Sequence, residues 1–286
     1  MSFILLIGKP GSGKTTLAAS MTKLGYKVRF IDVDNKVDKM FNLKHLVEAD
    51  QIRVTPIKAR LVETKLGERF KELSATFKKL PVKQKQPEGY LEYCDIISAY
   101  EDEMVKGNKP EEQVLVCDSF TTLQEHMKRL VLYIQKQDKF TYDEWEMWKT
   151  NIEEFINIHQ RLQGYFKHVI IICHEQLEKD ELIGKIEILP MVDGSMRHKV
   201  GKNFEEIYHC IVDMPKAGKP KYKVVTVPME RCEARTSRDL EALEEADFSV
   251  LFADELPADK RRQLETLRKL KGEKPNGQAQ TEQHKD

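Results

Sequence analysis

Apolar runs alternate along the chain with longer amphipathic stretches. The runs predict strands at 3–7, 27–33, 51–54, 113–117, 168–173, 208–213 and 222–227. A long helix is predicted after the capping box Thr141-x-x-Glu144. Its core-facing stripe consists of Trp145, Trp148, Ile152, Phe155, Ile156 and Leu162. Because strands separated by helices are joined by crossover connections, the pattern predicts an α/β fold with a mostly parallel central sheet flanked by helices.

The composition also divides the chain into a core and attached segments. We predict a core over 1–240, interrupted at about 57–112 by a highly charged and largely helical insertion. Residues 241–270 have the pattern of a short helical extension. Residues 271–286 contain few apolar side chains, so we expect a disordered tail there.

Charge and cysteine content exclude some classes of protein. Lys and Arg total 47, as do Asp and Glu, so any basic surface has to come from local clustering. The first apolar run is too short for a signal peptide or a membrane span, and no later segment reaches ~18 apolar residues. We therefore expect a cytoplasmic protein without a membrane partner. The five cysteines form no C-x-x-C pair, which favours reduced thiols over a disulfide or zinc site.

The segment GKPGSGKTT matches the P-loop pattern G-x-x-x-x-G-K-[ST], and it lies between an apolar strand and a helix. Glycines let backbone N–H groups surround phosphates, and the helix N-terminus adds a positive dipole. Lys14 would reach the β- and γ-phosphates, and the Thr15 hydroxyl would bind Mg²⁺. The sequence thus predicts a site for a nucleoside triphosphate, formed by Gly8, Lys9, Pro10, Gly11, Ser12, Gly13, Lys14, Thr15 and Thr16.

A second strand ends on a carboxylate in VLVCDSFTTL. Asp118 would lie at the carboxyl edge of a parallel sheet, where it can bind Mg²⁺ together with Thr15. The alternative is that Asp118 or Ser119 only caps the following helix. Together with the P-loop, the strand end favours the metal role.

These motifs resemble the RecA-type ATPase core, and most closely the phage-encoded Sak-type single-strand annealing and recombination ATPases. In FIDVDNKVD, the resemblance implies that Asp34 activates the attacking water, although RecA has the longer Glu at that position. Asp32 and Asp34 could instead be turn formers after a strand. In HVIIICHEQ, the resemblance implies that His174 contacts the γ-phosphate, where RecA has Gln. Without the resemblance, a His at a strand end is more often structural.

The resemblance covers roughly 1–240, and within this range two further segments that match the family carry basic side chains. The loop after HVIIICHEQ would contact the DNA backbone, or else form a solvated turn before a helix predicted at 200–207. Its cationic residues are Arg197, His198, Lys199 and Lys202. Arg235 and Arg238 would act across a subunit interface on the neighbour's γ-phosphate. Their alternative is surface pairing with nearby acidic residues.

The resemblance implies a Mg²⁺-dependent ATPase that acts on single-stranded DNA in recombination or strand annealing. It would work as a homo-oligomer, a ring or a filament, with a single-strand binding protein as a further partner, and in the host cytoplasm if a phage encodes it. Two other classes stay open. A small-molecule kinase shares the P-loop but needs an arginine-rich lid, for which the sequence offers no compact candidate. A nucleotide-gated switch without significant catalysis needs only binding.

Overall fold

A computed structural model describes residues 1–57, 88–135, 139–179, 186–215, 218–229 and 231–270. The most strongly charged part of the predicted insertion and the predicted tail at 271–286 lie outside the described residues.

The described strands form one sheet with the order β3-β2-β4-β5-β1-β7-β8-β9, and β6 pairs with β5 beyond it. Strands β1 to β5 and β7 run parallel, whereas β6, β8 and β9 pair antiparallel with their neighbours. The predicted mostly parallel sheet is therefore confirmed. The strands are β1 Ser2–Gly8, β2 Val28–Asp32, β3 Ile52–Pro56, β4 Val114–Asp118, β5 His168–Lys179, β6 Ile186–Pro190, β7 Glu206–Asp213, β8 Lys221–Val225 and β9 Leu243–Glu245.

Helices cover both faces of this sheet. They are α1 Lys14–Ala19, α2 Lys44–Glu48, α3 Glu88–Val105, α4 Phe120–Gln135, α5 Tyr142–Leu162, α6 Phe248–Leu251 and α7 Ala258–Leu270. Helix α5 begins at the predicted capping box, where the Thr141 N–H donates to Glu144 Oε2 at 2.7 Å. No helix in the described ranges is both long and apolar enough to span a membrane.

Side-chain alternation along the central strands separates two apolar cores. Leu5 and Ile7 of β1 point toward α3, α4 and α5, and Trp148 of α5 is fully buried there. Ile4 and Leu6 point toward α1 and α6 on the opposite face. Because both faces are covered, the strands are continuous apolar runs, as parallel sheets require. The central strands are therefore held in place by an apolar core on each face of the sheet.

The prediction of a helix at 200–207 is wrong. The 3₁₀ turns Gly194–His198 and Val200–Asn203 occupy the segment, and β7 begins at Glu206. The end of the segment forms a strand instead of a helix because it pairs with the central strand β1. Ile207 pairs with Leu5 of β1 and buries its side chain in the core. Strand β5 is longer than predicted, because it leaves the parallel sheet and continues to Lys179 as a hairpin with β6.

Candidate nucleotide-binding site

The P-loop joins β1 to α1 at the centre of the sheet, and two glycines are required by its path. Gly13 has a φ of 87°, and a Cβ on it would lie 2.9 Å from the Tyr222 ring. A Cβ on Gly8 would lie 2.5 Å from the Cys210 carbonyl oxygen. Side chains at these positions would force strain or displace neighbouring strands. The loop can therefore bring its backbone close to a ligand.

The P-loop lysine is folded back over the loop. Lys14 Nζ donates to the carbonyl oxygens of Gly8 and Lys9, each at 2.7 Å, and the residue is only 5% exposed. Burial lowers the pKa of Lys14. Ser12 Oγ is also buried and has no hydrogen-bond partner among the described residues. Such an atom is costly unless a ligand satisfies it, which fits a phosphate group in this loop.

Thr15 and Asp118, the predicted metal pair, are in direct contact. The Thr15 hydroxyl donates to Asp118 Oδ2 at 2.6 Å. Burial raises the pKa of Asp118 to about 6, and the negative charges of Asp34 and Asp32 add to the shift, while the bond from Thr15 opposes it. A hydroxyl and a carboxylate beside a phosphate loop are hard oxygen donors of the kind Mg²⁺ prefers, so the residues present fit that ion.

Asp34 lies beside this pair and is surrounded by donors. The backbone N–H groups of Val33 and Asp34 donate to the Asp118 carbonyl oxygen, which ties the end of β2 to the end of β4. Asp34 Oδ1 accepts hydrogen bonds from Ser119 at 3.1 Å and from Thr122.

The same surroundings decide the ionisation of Asp34. Its Oδ2 lies 3.3 Å from Lys36 Nζ and 3.9 Å from His174 Nε2. Burial alone would raise the pKa of Asp34, but the bonds from His174 and Thr122 and the charge of Lys36 outweigh it and hold the pKa well below its usual range. Asp34 is therefore an ionised, 9%-exposed carboxylate at the sheet edge.

His174 lies between the P-loop and Asp118, because β5 is inserted between β1 and β4. Its register partner on β1 is Gly8, the first residue of the P-loop. The His174 N–H donates to Thr121 Oγ1 at 2.9 Å, and Nδ1 of the ring is buried without a partner in the described part of the chain. The ring can therefore donate toward a phosphate in the loop.

A cleft of ≈ 1560 Å³ runs along this sheet edge, with room for a nucleotide. The P-loop, Asp34, Asp118 and His174 line it, and residues of β8 and β9 line it as well. The described structure thus brings the P-loop and these three predicted side chains together.

Sequence reasoning missed four residues of the site: Lys36, Ser119, Thr122 and Tyr222. The hydroxyl-rich run directly after Asp118 was a usable signal for Ser119 and Thr122. Tyr222, half exposed on β8, is flanked by lysines in a segment predicted only as a strand.

The predicted basic loop lies beside the hairpin formed by β5 and β6. Arg197 Nη1 and His198 Nε2 lie 3.3 and 3.4 Å from Glu178 Oε2 of β5. Arg197 Nε also donates to the Gly194 carbonyl oxygen at 2.9 Å. Lys199 and Lys202 are exposed. The loop is therefore tied to the same strand that ends the cleft at His174.

The two arginines of the predicted interface are engaged within their own chain. Arg235 Nη2 donates to the carbonyl oxygens of Phe204 and Gly201, the latter at 2.8 Å. The Arg238 guanidinium lies 3.4 Å from the Phe252 ring centre and donates to Glu255 at 2.9 Å. Neither arginine lines the cleft of its own chain. Their action on a neighbouring subunit stays a prediction.

Comparison with known proteins adds a family. A family model described as AAA domain matches residues 2–238, most of the chain. The chain belongs to this AAA domain family. Membership agrees with the P-loop and with the mostly parallel sheet flanked by helices, and it supports a nucleotide-binding NTPase domain.

The other comparisons are less informative for this AAA domain protein. The curated proteins contain no match. Among solved structures, the flagellar accessory protein FlaH from Methanocaldococcus jannaschii is similar at a TM-score of 0.37 and 11% identity, over 82% of each chain.

Proposed function

We propose that this AAA domain protein is a Sak-type ATPase that hydrolyses ATP with Mg²⁺ and acts on single-stranded DNA as a homo-oligomer. The observation that carries the proposal is the meeting of Lys14, Asp118, Asp34 and His174 in one cleft, at the start of a hairpin flanked by a basic loop. The resemblance of GKPGSGKTT, VLVCDSFTTL and HVIIICHEQ to this class supports the choice of DNA as partner.

The arrangement supports hydrolysis because different residues of the cleft have different roles. Lys14 and the P-loop N–H groups hold the β- and γ-phosphates in place of the carbonyl contacts that Lys14 now makes. Thr15 and Asp118 would hold Mg²⁺, which neutralises phosphate charge when bound. Asp34 orients the attacking water. Its low pKa makes it a weak base, so it accepts the water's proton late, once bond formation to phosphorus has made that water acidic.

Coupling to DNA would run along β5. His174 lies at the cleft, and Glu178 of the same strand contacts Arg197 and His198 of the basic loop. Strand β5 is paired with β1 up to His174 and with β6 from Glu175 to Lys179, so a backbone phosphate drawn to the loop can shift His174 along a continuously paired strand. This geometry supports stimulation of hydrolysis by DNA.

The deciding experiment measures ATP hydrolysis with and without single-stranded DNA, beside a sizing run with nucleotide. We expect stimulation that weakens as salt rises, because phosphate contacts are screened and counterions compete. Absence of DNA binding at low salt would contradict the DNA role. Phosphate transfer to a nucleoside with little release to water would identify a kinase, and binding without hydrolysis would identify a switch.

A further inference from the structure

We propose that Lys36 is a second ammonium group of the catalytic site, contacting the γ-phosphate from the same chain beside Lys14. The proposal rests on the proposed ATP hydrolysis and adds a residue that the P-loop pattern does not contain. It belongs to the short turn between β2 and α2 that also presents Asp34.

The backbone of this turn is fixed. Asn35, between Asp34 and Lys36, has a φ of 54°, a left-handed conformation that is uncommon outside glycine. The Asn35 amide donates to the Ile57 carbonyl oxygen at 2.7 Å. The Val37 N–H donates to Asp32 Oδ2 at 2.8 Å, and Asp32 is fully buried. A strained residue held by buried contacts is typical of a functional turn.

The turn places the Lys36 ammonium group at the reacting end of the cleft. Lys36 Nζ and His174 Nε2 both approach Asp34 Oδ2, at 3.3 and 3.9 Å. Lys36 also lines the cleft, and its side chain is 71% exposed, which leaves the ammonium group free to move toward a ligand. A γ-phosphate bound between Lys14 and Asp34 would lie within reach of this flexible stem.

The electrostatics of the cleft favour Lys36 over its other cations. Lys23, Lys221 and Lys223 also line it, but Lys23 pairs with Asp247, Lys223 pairs with Asp213, and Lys221 lies on β8, whereas Lys36 contacts Asp34. No arginine lines the cleft among the described residues. Phosphoryl transfer needs positive charge near the γ-phosphate oxygens. When Lys36 moves to the phosphate, Asp34 loses one ion-pair partner and is released to bind the attacking water.

The test compares Lys36→Met, Lys36→Arg and the matched control Lys39→Met. Lys39 belongs to the same turn and donates to the Asn35 carbonyl oxygen at 2.8 Å, but it does not line the cleft. We expect Lys36→Met to lower kcat by about 100-fold, in the lower range of removing a phosphate-stabilising cation. Lys36→Arg should recover most of this activity, and Lys39→Met should match the parent.

Nucleotide affinity gives a second readout that does not require turnover. Lys36→Met should weaken binding of a non-hydrolysable ATP analogue by about tenfold while ADP affinity stays within about twofold, because only the analogue carries a γ-phosphate. Equal loss for both nucleotides, or an unchanged kcat, would overturn the proposal. If the parent binds nucleotide but hydrolyses none, the proposed function fails, and the ratio of the two affinities still decides the role of Lys36.

Discussion

Asp118 could have either of two roles. Its contact with Thr15 fits a ligand of Mg²⁺, and its place just before a helix fits a helix cap. It ends β4, accepts the hydroxyl hydrogen bond of Thr15 at 2.6 Å, and lies just before α4. The two roles differ in what they require of the side chain. Capping needs an oxygen that accepts a backbone N–H, whereas binding of Mg²⁺ needs the negative charge.

The change Asp118→Asn separates these roles. Asn caps helices about as well as Asp, so a capping role predicts unchanged stability and unchanged hydrolysis. We expect instead a loss of kcat of at least about 100-fold with retained folding, because the neutral amide cannot replace a carboxylate at Mg²⁺. Steady-state hydrolysis across a magnesium titration measures the effect, with thermal unfolding as the folding control. Full activity in this variant would leave Asp118 as a cap.

His174 is tested by its effect on coupling. We expect His174→Ala to bind ATP with nearly parental affinity, since Lys14 and the P-loop N–H groups remain, yet to lose stimulation of hydrolysis by single-stranded DNA. Nucleotide titration and hydrolysis assays with and without DNA measure both quantities. The exposed His45 provides the control His45→Ala. A His174→Ala protein that is less stable but still stimulated would show a structural histidine.

The part of this site readable from sequence is the part held by strand ends. The P-loop, Asp118 and His174 each follow an apolar run, and parallel strands bring their carboxyl ends to one edge. Ser119 and Thr122 stand out in the hydroxyl-rich run after Asp118, but their hydrogen bonds to Asp34 could not be predicted in the same way. Ser119 and Thr122 reach Asp34 across separations of 85 and 88 positions, which no local period encodes.

At the scale of elements, α3 and α5 are joined through a buried histidine. His159 Nδ1 lies 2.6 Å from the Phe155 carbonyl oxygen, and its Nε2 lies 2.6 Å from the Tyr93 hydroxyl. Since a carbonyl can only accept, Nδ1 carries the hydrogen and Nε2 accepts from Tyr93. Both nitrogens of a neutral ring are therefore satisfied, and a second proton would displace the Tyr93 bond.

This packing predicts a dependence of stability on pH. Burial lowers the pKa of His159 to about 4 from 6.5, so the unfolded chain binds a proton where the folded protein does not. The contribution of this ring to the unfolding free energy is full above pH 6.5 and falls as the pH drops toward 4, by up to about 3 kcal/mol. Denaturant unfolding at a series of pH values measures this effect. As the pH falls, the unfolding free energy of His159→Gln should decrease less than that of the parent, and His45→Gln should behave like the parent. Identical slopes in all three proteins would contradict the assignment.

The elements that sequence predicted well have both faces buried or a clear amphipathic stripe, as β1 and α5 do. The failed predictions have two other causes. The helix expected at 200–207 gave way to pairing of β7 with β1, a contact between distant segments. Strands β6 and β9 were not predicted, because each is short and pairs at an edge, where burial imposes little periodicity.

On the scale of the whole molecule, Glu255 between α6 and α7 binds the C-terminal part of the chain to the end of the sheet where β5 begins. Glu255 accepts from Arg238 at 2.9 Å and from Tyr26 at 2.7 Å, and it lies 3.1 Å from His168 at the start of β5. These bonds, and above all those from His168, overcome the effect of burial and lower the pKa of Glu255. Arg238 therefore has a structural task within the chain, whether or not it also acts on a neighbour.

An experiment that mixes two variants separates the structural role of Arg238 from its predicted role on a neighbouring subunit. Lys14→Ala leaves the arginines intact but disables its own P-loop, and Arg238→Lys keeps a cation for Glu255 while losing the forked guanidinium. Each protein alone should hydrolyse ATP poorly. If Arg238 acts across an interface, mixed oligomers contain some sites with an intact P-loop beside an intact arginine, and hydrolysis should recover to a fraction of the parent rate. The same experiment with Arg235→Lys assigns the other arginine. Parental activity in Arg238→Lys alone, or no recovery on mixing in an oligomer that sizing shows to be mixed, would restrict Arg238 to the bonds it makes with Glu255 and Phe252.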